Sequence, residues 1–131
     1  MRVVSLRWLG VPTREYAQMA RFLRDVMGLE VNFEEATTIE FSLPSGDEIQ
    51  LFAPGDPYYE FFQANAAGHP VTLFEVDDVH GAQAELRAAG IEIVDPLGRD
   101  TNWEWIHFRA PDGNLYELAS WRRDHASDAA G

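Results

Sequence analysis

The chain contains one pattern twice. "TIEFSLPSGDEIQLF" (residues 38–52) lies over "WIHFRAPDGNLYELA" (residues 105–119) without a gap. Phe41 falls on Phe108, Pro44 on Pro111, Gly46 on Gly113, Gln50 on Glu117 and Leu51 on Leu118. Both stretches read as strand, P-x-G turn, strand. The likeness extends upstream, where "LRWLGV" (residues 6–11) parallels "VTLFEV" (residues 71–76). A period near 65 residues in two copies is too long for a solenoid. It predicts two equivalent modules whose sheets combine, and it makes equivalent positions of the two halves comparable one by one.

Each first strand leads into a helix. In the first half Thr13 is placed to cap it, Glu15 suits the positive end of its dipole, and Met19, Ala20, Leu23, Val26 and Met27 form an apolar stripe that Gly28 ends. In the second half Asp78 caps, Val79, Ala82, Leu86 and Ala89 form the stripe, and Gly90 ends it. Short strands follow as "LEVNF" and "IEIVD". Each half is therefore expected to be βαβββ, giving an α+β fold in one domain of 131 residues: a first module over 3–53, a linker over 54–68, a second module over 69–121 and a disordered tail over 122–131. The linker carries Tyr58, Tyr59, Phe61 and Phe62, which suit either a cover for the edge of the core or a lid or dimer contact.

Composition narrows the function. There is no cysteine, which excludes disulfides, thiolate metal sites and cysteine catalysis. The formal net charge is −12, from 22 acidic against 10 basic residues, so a nucleic-acid partner is not expected. No apolar run spans a bilayer and the N-terminus reads as a strand rather than a leader, so no membrane partner and a cytoplasmic location are expected.

The tandem strand–helix–three-strand repeat, with "FLRDVMGLEV" in the first half and "APDGNLYEL" closing the second, resembles the vicinal oxygen chelate superfamily of glyoxalase I, bleomycin-resistance proteins and extradiol dioxygenases. The resemblance implies a curved mixed sheet around a cavity, and a homodimer. In metal-using members it places ligands on the first and last strand of each half. The last-strand positions here are Gln50 and Glu117, both able to bind a divalent ion through oxygen. The first-strand positions, counted back from Val11 and Val76, are Leu6 and Val71, which cannot. His69, one step outward on the face of Val71, is the substitute ligand to consider.

The expected pocket is lined by Leu6, Trp8, Phe41, Gln50, Val71 and Phe108, with Glu117 as the candidate acid or base. A two-residue hairpin at Asp112–Gly113 would set Phe108 opposite Glu117 and turn Trp103, Trp105 and His107 to the other face. With half of the ligand set missing, no cofactor is expected, a divalent metal being the alternative. Three functions follow: a binding protein that sequesters a small hydrophobic or aromatic molecule; a glyoxalase- or dioxygenase-like enzyme using Glu117, with or without metal; or a structural dimer with a vestigial pocket.

Overall fold

The computed structural model describes residues 1–122. The chain divides into two compact units, Arg7–Thr72 and residues 1–6 together with those from Leu73 onward. Strand β1 (Val3–Pro12) and strand β5 (Val71–Val76) each run across a unit boundary.

In the Arg7–Thr72 unit the order of elements after β1 is α1 (Tyr16–Arg21), β2 (Glu30–Glu34), β3 (Thr38–Ser42), β4 (Glu48–Phe52) and α2 (Pro57–Ala66). Its strands lie in the order β2-β3-β4-β1. The pair β1/β4 is parallel, while β2/β3 and β3/β4 are antiparallel. Ala20 and Leu23 of the helical segment pack on Ile39, Phe41 and Leu51 of the sheet. The expected stripe holds only as far as Leu23. A π-helical turn over Phe22–Val26 closes with Met27 N–H donating to Phe22 C=O at 3.0 Å. Its wider winding carries Val26 and Met27 off the buried stripe, and both are exposed. Thr13 acts three residues before the helix, its hydroxyl accepting the Glu15 N–H at 3.0 Å.

The segment expected to be a linker contains a helix. Pro57 opens α2, where a missing N–H costs nothing. Asp56 caps it, one carboxylate oxygen accepting the Tyr58 N–H at 2.9 Å and the other the Thr37 hydroxyl at 2.7 Å. Phe62, 1 % exposed, packs edge-on against Phe52 with ring centres 5.4 Å apart. Four aromatic positions in one turn and a half hid the helical period, because the segment is apolar on more than one side. Tyr59 and Phe62 are buried and cover core, while Tyr58 is exposed.

In the other unit β5 is followed by α3 (Val79–Ala88), β6 (Glu92–Ile93), β7 (Gly98–Arg99), β8 (Trp103–Arg109) and β9 (Leu115–Trp121). The strands lie in the order β5-β9-β8-β6, with β7 also on β8, and β5/β9 is the parallel pair. Asp78 caps α3 by accepting the His80 N–H at 3.1 Å. Val79 and Ala82 pack on Ile106 and Leu118, the equivalent of the first core. Both units are α+β, as the repeat requires. Of the tail expected from residue 122, Arg122 donates its backbone N–H to Asn102 C=O at 2.7 Å. Residues 123–131 lie outside the described residues. Among the described residues no helix is long and apolar enough to cross a membrane.

Candidate functional site

The two P-x-G hairpins have three-residue loops, one residue longer than the sequence reading assumed. Ala110 N–H donates to Asn114 C=O at 2.9 Å and Gly113 N–H to Ala110 C=O at 2.8 Å, with Gly113 at φ +87°. The first hairpin repeats this at Leu43, Asp47 and Gly46. A turn ending in a left-handed glycine is the usual three-residue solution. The extra residue moves the pairing by one, and a one-residue move exchanges the faces of a strand. Glu117 is therefore opposite His107, not Phe108, and Gln50 is opposite Glu40. Phe41 and Phe108, expected to line the pocket, lie on the opposite face, packed with the helices.

In the second-half unit this register builds a buried trio. His107, wholly buried, has Nε2 2.9 Å from Glu117 Oε1 and Nδ1 2.9 Å from Asp95 Oδ2. Its backbone N–H also donates to Asp95 Oδ1 at 3.1 Å. Burial disfavours the imidazolium, but the hydrogen bonds to Asp95 and Glu117 outweigh it and push the His107 pKa up to about 9. The expectation that His107 faces away from Glu117 is thus reversed. Asp95 had no signal in the sequence, since only the fold brings the β6–β7 connection to β8.

In the first-half unit the equivalent pair, Glu40 and Gln50, is held by Trp8. The indole Nε1–H lies 3.2 Å from Glu40 Oε2 and 3.1 Å from Gln50 Oε1. Asn32 donates to Glu40 Oε1 at 2.7 Å and to Glu48 Oε2 at 3.1 Å. Asn32 sits at a bulge, where the β2/β3 register shifts between Val31 and Phe33, and a bulge re-aims a side chain. Gln50 donates through Nε2 to the Thr38 hydroxyl at 2.8 Å. Glu40 is 7 % exposed. Its pKa is pushed up to about 8, first by burial and then by the Glu48 carboxylate, against the pull of Asn32 and Trp8. Neither Glu40 nor Asn32 was found from the sequence. The signal was there for Glu40: it is the repeat counterpart of His107 once the hairpins are read as three-residue loops.

The strand pairs also correct the first-strand equivalence. Gly10 pairs with Gln50 and Leu73 with Glu117, so Gly10 corresponds to Leu73 and, two residues back, Trp8 to Val71. Trp8, not Leu6, is the counterpart of Val71. Leu6 is 60 % exposed and Val71 fully buried. His69 is exposed after α2, its backbone N–H donating to Ala66 C=O at 2.9 Å. The Trp8 ring lies over Gly10, where an added Cβ would clash with the indole. Gly10→Ala is accordingly expected to dislodge Trp8, costing about 1–3 kcal/mol as an overpacking change. Faster hydrogen exchange at the Trp8 indole N–H would register it, and unchanged exchange would refute it.

The chain matches the model of the Glyoxalase/Bleomycin resistance protein/Dioxygenase superfamily over residues 5–118. No curated protein matches it. Among solved structures it is similar to methylmalonyl-CoA epimerase from Mycobacterium tuberculosis, with 22% identity, a TM-score of 0.73, and 95% of this chain and 93% of that one covered. It is also similar to a glyoxalase/bleomycin resistance protein/dioxygenase superfamily member from Vibrio splendidus 12B01, with 17% identity, a TM-score of 0.65, and 90% and 100% covered. A third is the Mn(II)-bound glyoxalase from Novosphingobium aromaticivorans, with 22% identity, a TM-score of 0.69, and 91% and 39% covered.

Proposed function

The chain belongs to the glyoxalase/bleomycin resistance protein/dioxygenase superfamily, and on that premise we propose that it is a small-molecule-binding member whose Trp8 site works without a metal ion. The observation that carries this reading is the indole N–H placed between Glu40 and Gln50. A divalent ion needs oxygen lone pairs turned toward it. Here the Gln50 oxygen faces the Trp8 donor, and Asn32 presents a second donor to Glu40. Trp8 and Val71, at the first-strand positions, supply no ligand atom. That set of side chains does not fit the ion the resemblance implies.

The same set suits a flat organic molecule. Trp8 is half-buried, and its ring is braced edge-on by Phe52 with centres 6.0 Å apart. An indole locked by its own N–H offers a fixed face for stacking at little further entropy cost. The polar groups behind it are bonded to one another, so the ligand is selected by shape and stacking.

The test is a titration of the full chain with phenol, indole and 2-naphthol, following the Trp8 indole cross-peak in the NMR spectrum, assigned by its loss in Trp8→Phe. At least one ligand is expected to move that peak, equally before and after chelator treatment. The reading fails if a stoichiometric metal co-purifies by elemental analysis. It fails also if Mn(II) at equimolar concentration broadens the Trp8 peak selectively.

A further inference from the structure

We propose that Asp95, His107 and Glu117 form a receptor for the N–H head of an organic cation, an ammonium or amidinium, with Glu117 making the contact and His107 and Asp95 as positioning residues. The geometry sets the charge. Two hydrogen bonds, each of 2.9 Å, join the imidazole to two carboxylates, and each needs one proton. Two carboxylates and a ring with two shared protons carry one net negative charge, whichever side of each bond the proton occupies.

The geometry also sets what Glu117 has left to offer. Its Oε1 is committed to His107. Its Oε2 has no hydrogen bond to a described residue, and the side chain keeps 8 % of its surface exposed. An acceptor-only oxygen in a buried, singly negative group calls for a hydrogen-bond donor that carries positive charge. A carboxylate or phosphate head would face repulsion without a donor to meet it. A divalent ion would find one free oxygen and, behind it, an imidazole that already holds both of its protons against carboxylates.

His107 cannot swing away, because it is fully buried and its backbone N–H is also bound to Asp95. Asp95, with its side chain 20 % exposed, is the outer end of the clamp. The clamp fixes the Glu117 rotamer before any ligand arrives, which is what pre-organised recognition requires. The inference shares with the proposed function only the premise that the protein binds small molecules. It uses none of the residues around Trp8.

The experiment uses the isotope-labelled full chain and three probes of one shape: benzylamine, benzyl alcohol and benzoate. Benzylamine at millimolar concentration is expected to shift the backbone amides of His107 and Glu117, benzyl alcohol to do so more weakly, and benzoate not at all. Glu117→Gln should weaken benzylamine roughly tenfold, the loss of one charge-assisted bond. Asp95→Asn should weaken it a few-fold while the Trp8 indole peak stays in place, and it decides the matter should Glu117→Gln not fold. Equal binding of benzoate, an unchanged benzylamine affinity in both variants, or stoichiometric Zn(II) at these amides would each overturn the proposal. If neutral aromatics move Trp8 but no amine selectivity appears at Glu117, this inference fails and the proposed function stands. Amine selectivity at Glu117 with a silent Trp8 supports the inference and counts against the proposed function.

Discussion

His107→Ala is expected to cost about 3–5 kcal/mol, the penalty for removing one partner from a buried ionic group. Two effects add. The substitution strands Glu117, which is 6 % exposed, and takes the ring partner from Asp95, leaving it the backbone N–H of residue 107. It also leaves a void where a fully buried ring stood. For a chain of this length that loss lowers the melting temperature by roughly 10–20 °C. Replacing His107 and Glu117 together by leucine should recover much of it, because desolvated charge is exchanged for packing. Urea unfolding of the single and double variants measures both. A single-variant loss below about 1 kcal/mol would show that the trio is not formed.

Stability should fall as pH rises from 5 to 9, opposite to the trend that paired carboxylates impose on most proteins. The sign follows from each group. His107 has a folded pKa of about 9 against 6.5 unfolded, burial opposing the charge and the bonds to Asp95 and Glu117 prevailing. The folded state thus binds that proton more tightly. Its contribution is complete below pH 6.5 and is lost as pH climbs through 9. A shift of that size corresponds to roughly 3 kcal/mol. Glu40 behaves alike, since burial and Glu48 raise it from 4.5 to about 8. Its contribution is complete below pH 4.5 and is lost as pH climbs through 8. At the acid end Glu104 works the other way. Its burial is outweighed by Arg99 and His80, which lower its pKa, so its contribution disappears as pH falls below the carboxylate range. The stability maximum should therefore lie near pH 5. Urea midpoints at pH 5, 7 and 9 should decline in that order, with Glu40→Gln flattening the first step and Asp95→Asn the second. A midpoint that rises between pH 7 and 9 would contradict the assignment of His107.

Much of the architecture was legible because it rests on local chemistry. The cap at Asp78, the stops at Gly28 and Gly90, and the paired hairpins each follow from residues close in the chain. The repeat then placed Gln50 and Glu117 in equivalent positions, and the family resemblance was borne out. What failed was registration. The turn "PDG" was read with a two-residue loop, and that single residue put Phe108 rather than His107 beside Glu117 and Phe41 rather than Glu40 beside Gln50. The first-strand alignment slipped by two, so Leu6 stood in for Trp8. The helix over Pro57–Ala66 was missed because its aromatic groups pack on more than one side.

The sequence by itself determined that each half has a first strand, a helix and a closing P-x-G hairpin, and that one strand in each half carries a polar group at an equivalent place; the second half has four strands after its helix rather than three. The tertiary structure decided what those polar groups meet. Side chains alternate along a strand with a period of two, so a register one residue in error reverses every contact. The Asn32 bulge, the Trp8 ring over Gly10 and Asp95 arriving at His107 depend on segments far apart in the chain. The charge state of Glu40 and His107 depends in turn on that assembly, because burial and partner carboxylates exist only in the folded chain.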